Sequence, residues 1–211
     1  VIFEAGATVA LSNVGELTGV RRTLTCTDNS ILLTVERDGS LDEYVFNGNF
    51  ALDGTTLGNA STAGGGANWA YSNNPGFTLP WWKTSDTGYG LTVTNTPWLA
   101  DGQTNGGTYS YIVQGTECEL SQSLGTVPAG IYRFSYNIAA RPSHTQSLMD
   151  VTVGKNGMAM FEYRTEELTN TLFECYESVI VLTEAANYGL SFKHLVPSGD
   201  KAIILDDISF R

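Results

Sequence analysis

Between Gly130 and Ala140 the chain reads GIYRFSYNIAA. Tyr132, Phe134, Tyr136 and Ile138 occupy every second position, with Ile131, Arg133, Ser135 and Asn137 between them. Side chains alternate across a strand, so one face of this segment enters a core and the other faces out or into a groove. Pro128-Ala129-Gly130 supplies the turn before it. Similar runs recur: FTLPWWKTS, GYGLTVTN, GTYSYIVQG, CELSQSLGTV, LMDVTVGKNG, MAMFEYRTE, TLFECYESVIVLT, NYGLSFKHL and KAIILDDISF. Their spacing of about 10 to 15 residues is that of an all-β sandwich. No helical period is sustained, and a single turn is expected over 166–172.

The first 43 residues read differently. Short alternating runs are broken at Asp28-Asn29-Ser30 and at Arg37-Asp38-Gly39-Ser40, which holds the Asp-Gly hairpin signal. Three or four short strands are expected there, too few to enclose a core. Residues 1–43 are therefore read as an N-terminal β-strand extension or the end of a neighbouring module, and residues 44–211 as the main domain. YVFNGNFALDG is read as a short kinked strand, followed by a long Gly/Asn/Ser-rich loop over 54–76. The chain begins at Val1 with nothing resembling a signal peptide, so it is expected to be processed or part of a larger, multidomain chain.

With a formal charge of -11, the chain repels phosphate backbones, which argues against nucleic acid as a partner. No 18-residue apolar run is present, so no membrane insertion is expected. Cys26, Cys118 and Cys175 lack CxxC spacing, which argues against zinc. Two readings of them stand: free, buried thiols, or a Cys118–Cys175 bridge between adjacent strands. Catalytic signatures such as HExxH or GxSxG are absent, and the histidines are His144 and His194 alone. The chain is read as not an enzyme, and His194 as structural.

Four pieces carry a family resemblance: NGNF (47–50), LPWW (79–82), LSQSLGTVPAGIYRFSYNIAARP (120–142) and AIILDDISF (202–210). In order and spacing they resemble the galactose-binding-domain-like jelly rolls, a group that includes many extracellular carbohydrate-binding modules. The resemblance covers about residues 44 to 211. It implies an all-β jelly-roll β-sandwich and a secreted or cell-surface location. It implies a structural calcium where first and last strands meet, with Asp206 and Asn49 as ligands. The usual Glu after Asn-Gly-x-Phe is Ala51 here, which weakens that site. Asp53 is the candidate to replace it. Asp206 falls on the apolar side of a strictly alternating final strand, with Ile204, Ile208 and Phe210. A carboxylate there is costly unless metal-bound, paired or capping a strand end.

All four tryptophans lie within 69–98. Aligned to the resembling family, Trp82 takes the place of the usual buried tryptophan and Trp81 stands where glycine is common. Alternation also requires the two rings to diverge. Sugar rings stack on aromatic faces while polar side chains take their hydroxyls. The candidate ligand-binding residues are Trp81, Trp98, Tyr71, Arg141 and His144. Trp98, after Asn95-Thr96-Pro97, is either a loop-tip ring or a lid on the core. The expected function is non-catalytic binding of an oligo- or polysaccharide by ring stacking and hydrogen bonds. The alternative is a structural or adhesive module with no sugar site.

Overall fold

A computed structural model describes residues 20–27, 30–37 (backbone alone in these two), 43–50, 69–71, 79, 81–85, 88–92, 96–99, 109–115, 117–144, 147–195 and 200–211. In chain order the strands are β1 (Val20–Thr27), β2 (Ser30–Arg37), β3 (Trp69–Tyr71), β4 (Lys83–Thr84), β5 (Tyr89–Thr92), β6 (Ser110–Val113), β7 (Glu119–Val127), β8 (Gly130–Ala140), β9 (Met149–Lys155), β10 (Met158–Arg164), β11 (Glu174–Leu182), β12 (Ala186–His194) and β13 (Ile203–Phe210). No helix occurs among them. A five-stranded sheet runs β10-β9-β12-β7-β4 and a six-stranded sheet β11-β8-β13-β6-β5-β3, all pairs antiparallel. This is the jelly-roll β-sandwich. β1 and β2 pair with each other in a two-stranded sheet of their own, in antiparallel register with Thr27 opposite Ser30.

The alternation of β8 is realised as written. Tyr132, Phe134, Tyr136 and Ile138 are buried, while Ile131 is 75% exposed. From the opposite sheet come Leu120, Leu124, Val151, Val153, Leu190 and Phe192, which complete the core between the layers. A second, smaller apolar cluster covers the outer face of the six-stranded sheet. It joins Trp98, Leu99, Ile112, Ala139, Ala202 and Ile204, with Trp69, Tyr71 and Phe173 packed against it.

The final strand departs from strict alternation. Asp207 takes φ 46°, and the β13–β8 register shifts between Asp206 and Ser209. Asn137 opposes Asp206 and Ser135 opposes Ser209, so two residues of β13 stand against one of β8. Before this bulge Ile203 and Leu205 enter the inter-sheet core; after it Ile208 and Phe210 do. Ile204 belongs to the outer cluster instead. The expectation that Ile204, Asp206, Ile208 and Phe210 share one face is corrected by one left-handed residue.

Other expectations also change. Residues 43–50 form bends and a turn rather than a strand. Strand β3 lies inside the segment read as one long loop. Over 166–172 there is no helical turn, and Leu168 instead bridges to Ser147. No bridge joins Cys118 to Cys175; Cys118 is buried as expected, but Cys175 is exposed on β11. The second expected turn, at 37–40, lies beyond Arg37 outside the described residues.

Residues 43–50 fasten to β13. Glu43 Oε1 accepts hydrogen bonds from the amides of Val45 and Phe210, each at 2.8 Å, and Oε2 accepts one from Ser209 Oγ. The Ile208 amide donates to the Gly48 carbonyl at 3.0 Å. A Cβ on Gly48 would lie 1.9 Å from the Ile208 carbonyl oxygen. Gly48→Ala is therefore expected to separate this segment from β13 and cost at least about 2 kcal/mol of stability, measured as a lower denaturant midpoint with an unchanged slope.

Candidate functional site

Two surfaces present themselves. The first is the outer face of the five-stranded sheet. Val151, Val153, Tyr188, Leu190, Leu120 and Leu124 point into the core, so the residues between them point out. Register sets them in rows across the strands. Gly154, Gly189 and Ser123 form one row; Thr152, Ser191, Ser121 and Lys83 form the next. A third row carries charge: Asp150, Lys193 and Glu119. Arg164 grips Asp150 through Nε at 2.6 Å and Nη2 at 2.8 Å, and Lys193 lies 3.6 Å from Glu117. The Arg164 guanidinium holds the Asp150 carboxyl below its usual range.

The first two rows form the floor of an open groove of about 520 Å³. Its lining includes Ser121, Ser123, Thr152, Asn187, Ser191 and the β9–β10 hairpin residues Asn156 to Ala159. Lys83 and Glu119 also line it. The sequence reading missed this surface, because Ser, Thr and Gly on alternate positions look like an ordinary solvated face. The signal it held was the absence of large side chains at both glycines.

Trp81 stands two residues before Lys83. Its ring is 46% exposed and stacks on Phe46 with centroids 6.3 Å apart and planes 15° apart. Phe46 in turn exchanges hydrogen bonds with the Gln122 side chain at 2.7 and 2.8 Å. Trp82 is buried, its Nε1 donating to the Asn47 carbonyl at 3.1 Å and its ring against Phe50. The two rings diverge as expected, for a sharper reason than alternation. Trp81 sits in a turn with φ 67°, a conformation that favours glycine.

The second surface gathers four other candidates at the edge of the six-stranded sheet. Trp98 is 2% exposed, with Trp69 and Tyr71 edge-on to it at 5.7 and 5.5 Å. The Arg141 guanidinium lies 3.8 Å over the Trp98 ring. Arg141 also donates to the carbonyls of Pro97 and Asp200 and to the Asp200 carboxylate. Gln114 bonds Asp200 as well, and accepts from Tyr71 Oη at 3.0 Å. His144 Nε2 lies 3.7 Å from Asp200. Burial raises the Tyr71 phenol's pKa. Trp98 is thus a lid on the outer apolar cluster. With Arg141 over its ring and only 2% of its surface open, it has no face free for a sugar. Its Nε1 has no partner among the described residues.

The residues expected to bind calcium do not form one set. Asn49 lines a cleft of about 200 Å³ with Glu43, Asn47 and Asp207, and Asp206 is not part of it. Asp206 is buried, accepting from Ser110 Oγ at 2.7 Å and from the Asp207 amide at 2.8 Å. Burial pushes its carboxyl up to about 8. Asp53 lies outside the described residues. Glu43 already takes three donors, and among the described residues no three His, Cys, Asp or Glu side chains are grouped for a metal. Calcium takes six to eight oxygens, and among the described residues Asn49 and Asp206 do not come together to supply them. Glu43 makes the junction with the last strand. His194 is buried, with Nδ1 3.1 Å from the Gly115 carbonyl, and burial lowers its pKa.

Two measurements check these assignments. Asp206 is protonated in the fold up to about pH 8 but ionised in the unfolded chain above its usual range. Its contribution is therefore full at low pH and is lost as pH rises toward 8. Asp206→Asn should flatten that slope in melting temperature and exceed wild type above pH 8. Arg141→Ala should cost roughly 2 kcal/mol of stability, measured as a lower denaturant midpoint.

No protein-family model and no curated sequence matches the chain. Solved structures do. The module TmCBM61 in complex with β-1,4-galactotriose aligns with 17% identity over 80% of this chain and 97% of its own, with a TM-score of 0.53. The CBM22-1 xylan-binding domain from Paenibacillus barcinonensis Xyn10C aligns with 16% identity over 64% and 86%, with a TM-score of 0.45. The enzymatically active domain of bacteriophage CBA120 tailspike protein 4 aligns with 14% identity over 81% of this chain but 21% of its own, with a TM-score of 0.47. The chain shares the jelly-roll β-sandwich fold of carbohydrate-binding modules.

Proposed function

We propose that the chain is a non-catalytic carbohydrate-binding module of a secreted or surface protein, and that the groove across β9, β12 and β7 holds the glycan. The observation that carries this reading is the groove itself, about 520 Å³ with a floor of Ser, Thr, Asn and Gly. Hydroxyls and amides on that floor match sugar hydroxyls as donors and acceptors. Trp81, exposed and backed by Phe46, supplies a ring for a sugar face beside Lys83. Among the lining residues Glu119 is the sole carboxyl, whereas most glycosidases use a pair. The likeness to a module seen with β-1,4-galactotriose supports a sugar ligand through the fold.

Affinity electrophoresis against soluble β-1,4-galactan, xylan and β-glucan tests the reading. Retardation by at least one of them is expected; retardation by none leaves a structural or adhesive module. Trp81→Gly removes the ring while relieving φ 67°, so stability should stay within about 1 kcal/mol and binding should fall roughly tenfold or more.

A further inference from the structure

Gly154 and Gly189 are direct cross-strand partners in the centre of the five-stranded sheet. Both belong to the outward-facing set, so two neighbouring side chains are missing from the floor of the groove. Glycine inside a strand weakens it and often marks where another molecule approaches the backbone. The two glycines have different standing. A Cβ on Gly154 would sit 3.0 Å from the Met158 carbonyl oxygen, so the return of the β9–β10 hairpin keeps that position small. A Cβ on Gly189 would meet nothing closer than the Gln122 carbonyl oxygen at 3.7 Å, an ordinary contact. Nor does its backbone need glycine. The bulge beside it places the positive φ, 68°, on Gly125. The fold accepts a side chain at Gly189 and the groove does not have one.

Charge narrows what the open floor takes. Around Gly189 stand Ser121, Ser123, Thr152, Asn187 and Ser191, all uncharged. The neighbouring ionic row is engaged in Arg164–Asp150 and Lys193–Glu117 pairs. Among the lining residues Lys83 is the sole cation and Glu119 offsets it, so an acidic sugar on this floor would lose water without a net counter-charge. The β9–β10 hairpin lines one margin of the groove and Lys83 the other.

We propose that Gly189 is the specificity-determining residue of the groove: it lets a neutral, unbranched glycan lie flat on the backbone of β9 and β12 and excludes chains with substituents on the face turned to the sheet. This rests on the groove being the glycan site. Gly189→Val and Gly189→Ala in the whole chain test it, by affinity electrophoresis in linear β-1,4-galactan and β-1,4-xylan and in their arabinose-bearing counterparts. Wild type should be retarded by a linear polymer and less by its branched counterpart. Gly189→Val should weaken binding by about tenfold or more, the effect of one methyl-sized intrusion or larger in a fitted site. Its melting temperature should match or exceed wild type, since valine suits a strand better than glycine. Gly189→Ala should weaken binding to a smaller, measurable extent, and it decides the matter if valine unfolds the chain. Undiminished binding by a folded Val variant, or by Ala where Val unfolds, overturns the role of Gly189 while leaving a glycan module with its site elsewhere. Equal retardation by linear and branched polymers overturns the ligand class. No retardation of wild type by any polymer overturns the glycan reading itself.

Discussion

The left-handed residue Asp207 within β13 organises the sandwich. β13 sits between β8 and β6, so its side chains serve both layers of packing. One extra residue at the bulge moves Ile208 and Phe210 into the core that Ile203 and Leu205 already occupy. It leaves Ile204 to the outer cluster beneath Trp98, and Asp206 to a buried bond with Ser110. The bulge also carries Ile208 past Gly48, where carbonyl contact leaves no room for a Cβ. Glu43 completes the junction by accepting from Phe210 and Ser209. A carboxylate with three donors thus joins residues 43–50 to the last strand.

With that layer closed by its own side chains, the two outer faces differ. The six-stranded sheet is covered by an aromatic and arginine lid, whose polar atoms bond one another through Asp200 and Gln114. The five-stranded sheet carries a groove with a floor of small polar residues and glycine. Buried rings at the first face stabilise the fold. At the second, the floor is left open, and Trp81 stands exposed two residues before Lys83 at its margin.

How much of this was legible varied with the source of the signal. The β8 segment displayed its layer directly, because Tyr132, Phe134, Tyr136 and Ile138 alternate without interruption. The burial of Trp82 and exposure of Trp81 were also readable, although the turn at φ 67° separates them more than strand alternation would. The bulge at Asp207 was not readable, since Asp-Asp-Ile continues an alternating pattern on paper and only pairing with β8 shows the slip. Large aromatics drew attention to Trp98 and Tyr71, and polar groups at a strand end to Arg141 and His144. Four of the five candidates do converge: Trp98 and Arg141 are buried there, and contacts with Gln114 and Asp200 hold Tyr71 and His144 beside them, half-buried. The groove lay unseen because a space is made of residues that are not there. Gly154 and Gly189 are 35 positions apart, and only the β9–β12 register brings them together.

The central claim is that a glycan lies across the five-stranded sheet. Backbone amide shifts of the labelled protein, followed during titration with β-1,4-galacto- and xylo-oligosaccharides, test it residue by residue. The largest changes should fall on Ser121, Ser123, Gly154, Gly189 and Ser191, with the Trp81 indole moving alongside them. Changes centred instead on Tyr71, Arg141 and His144, or no saturable change with any oligosaccharide, would contradict the account.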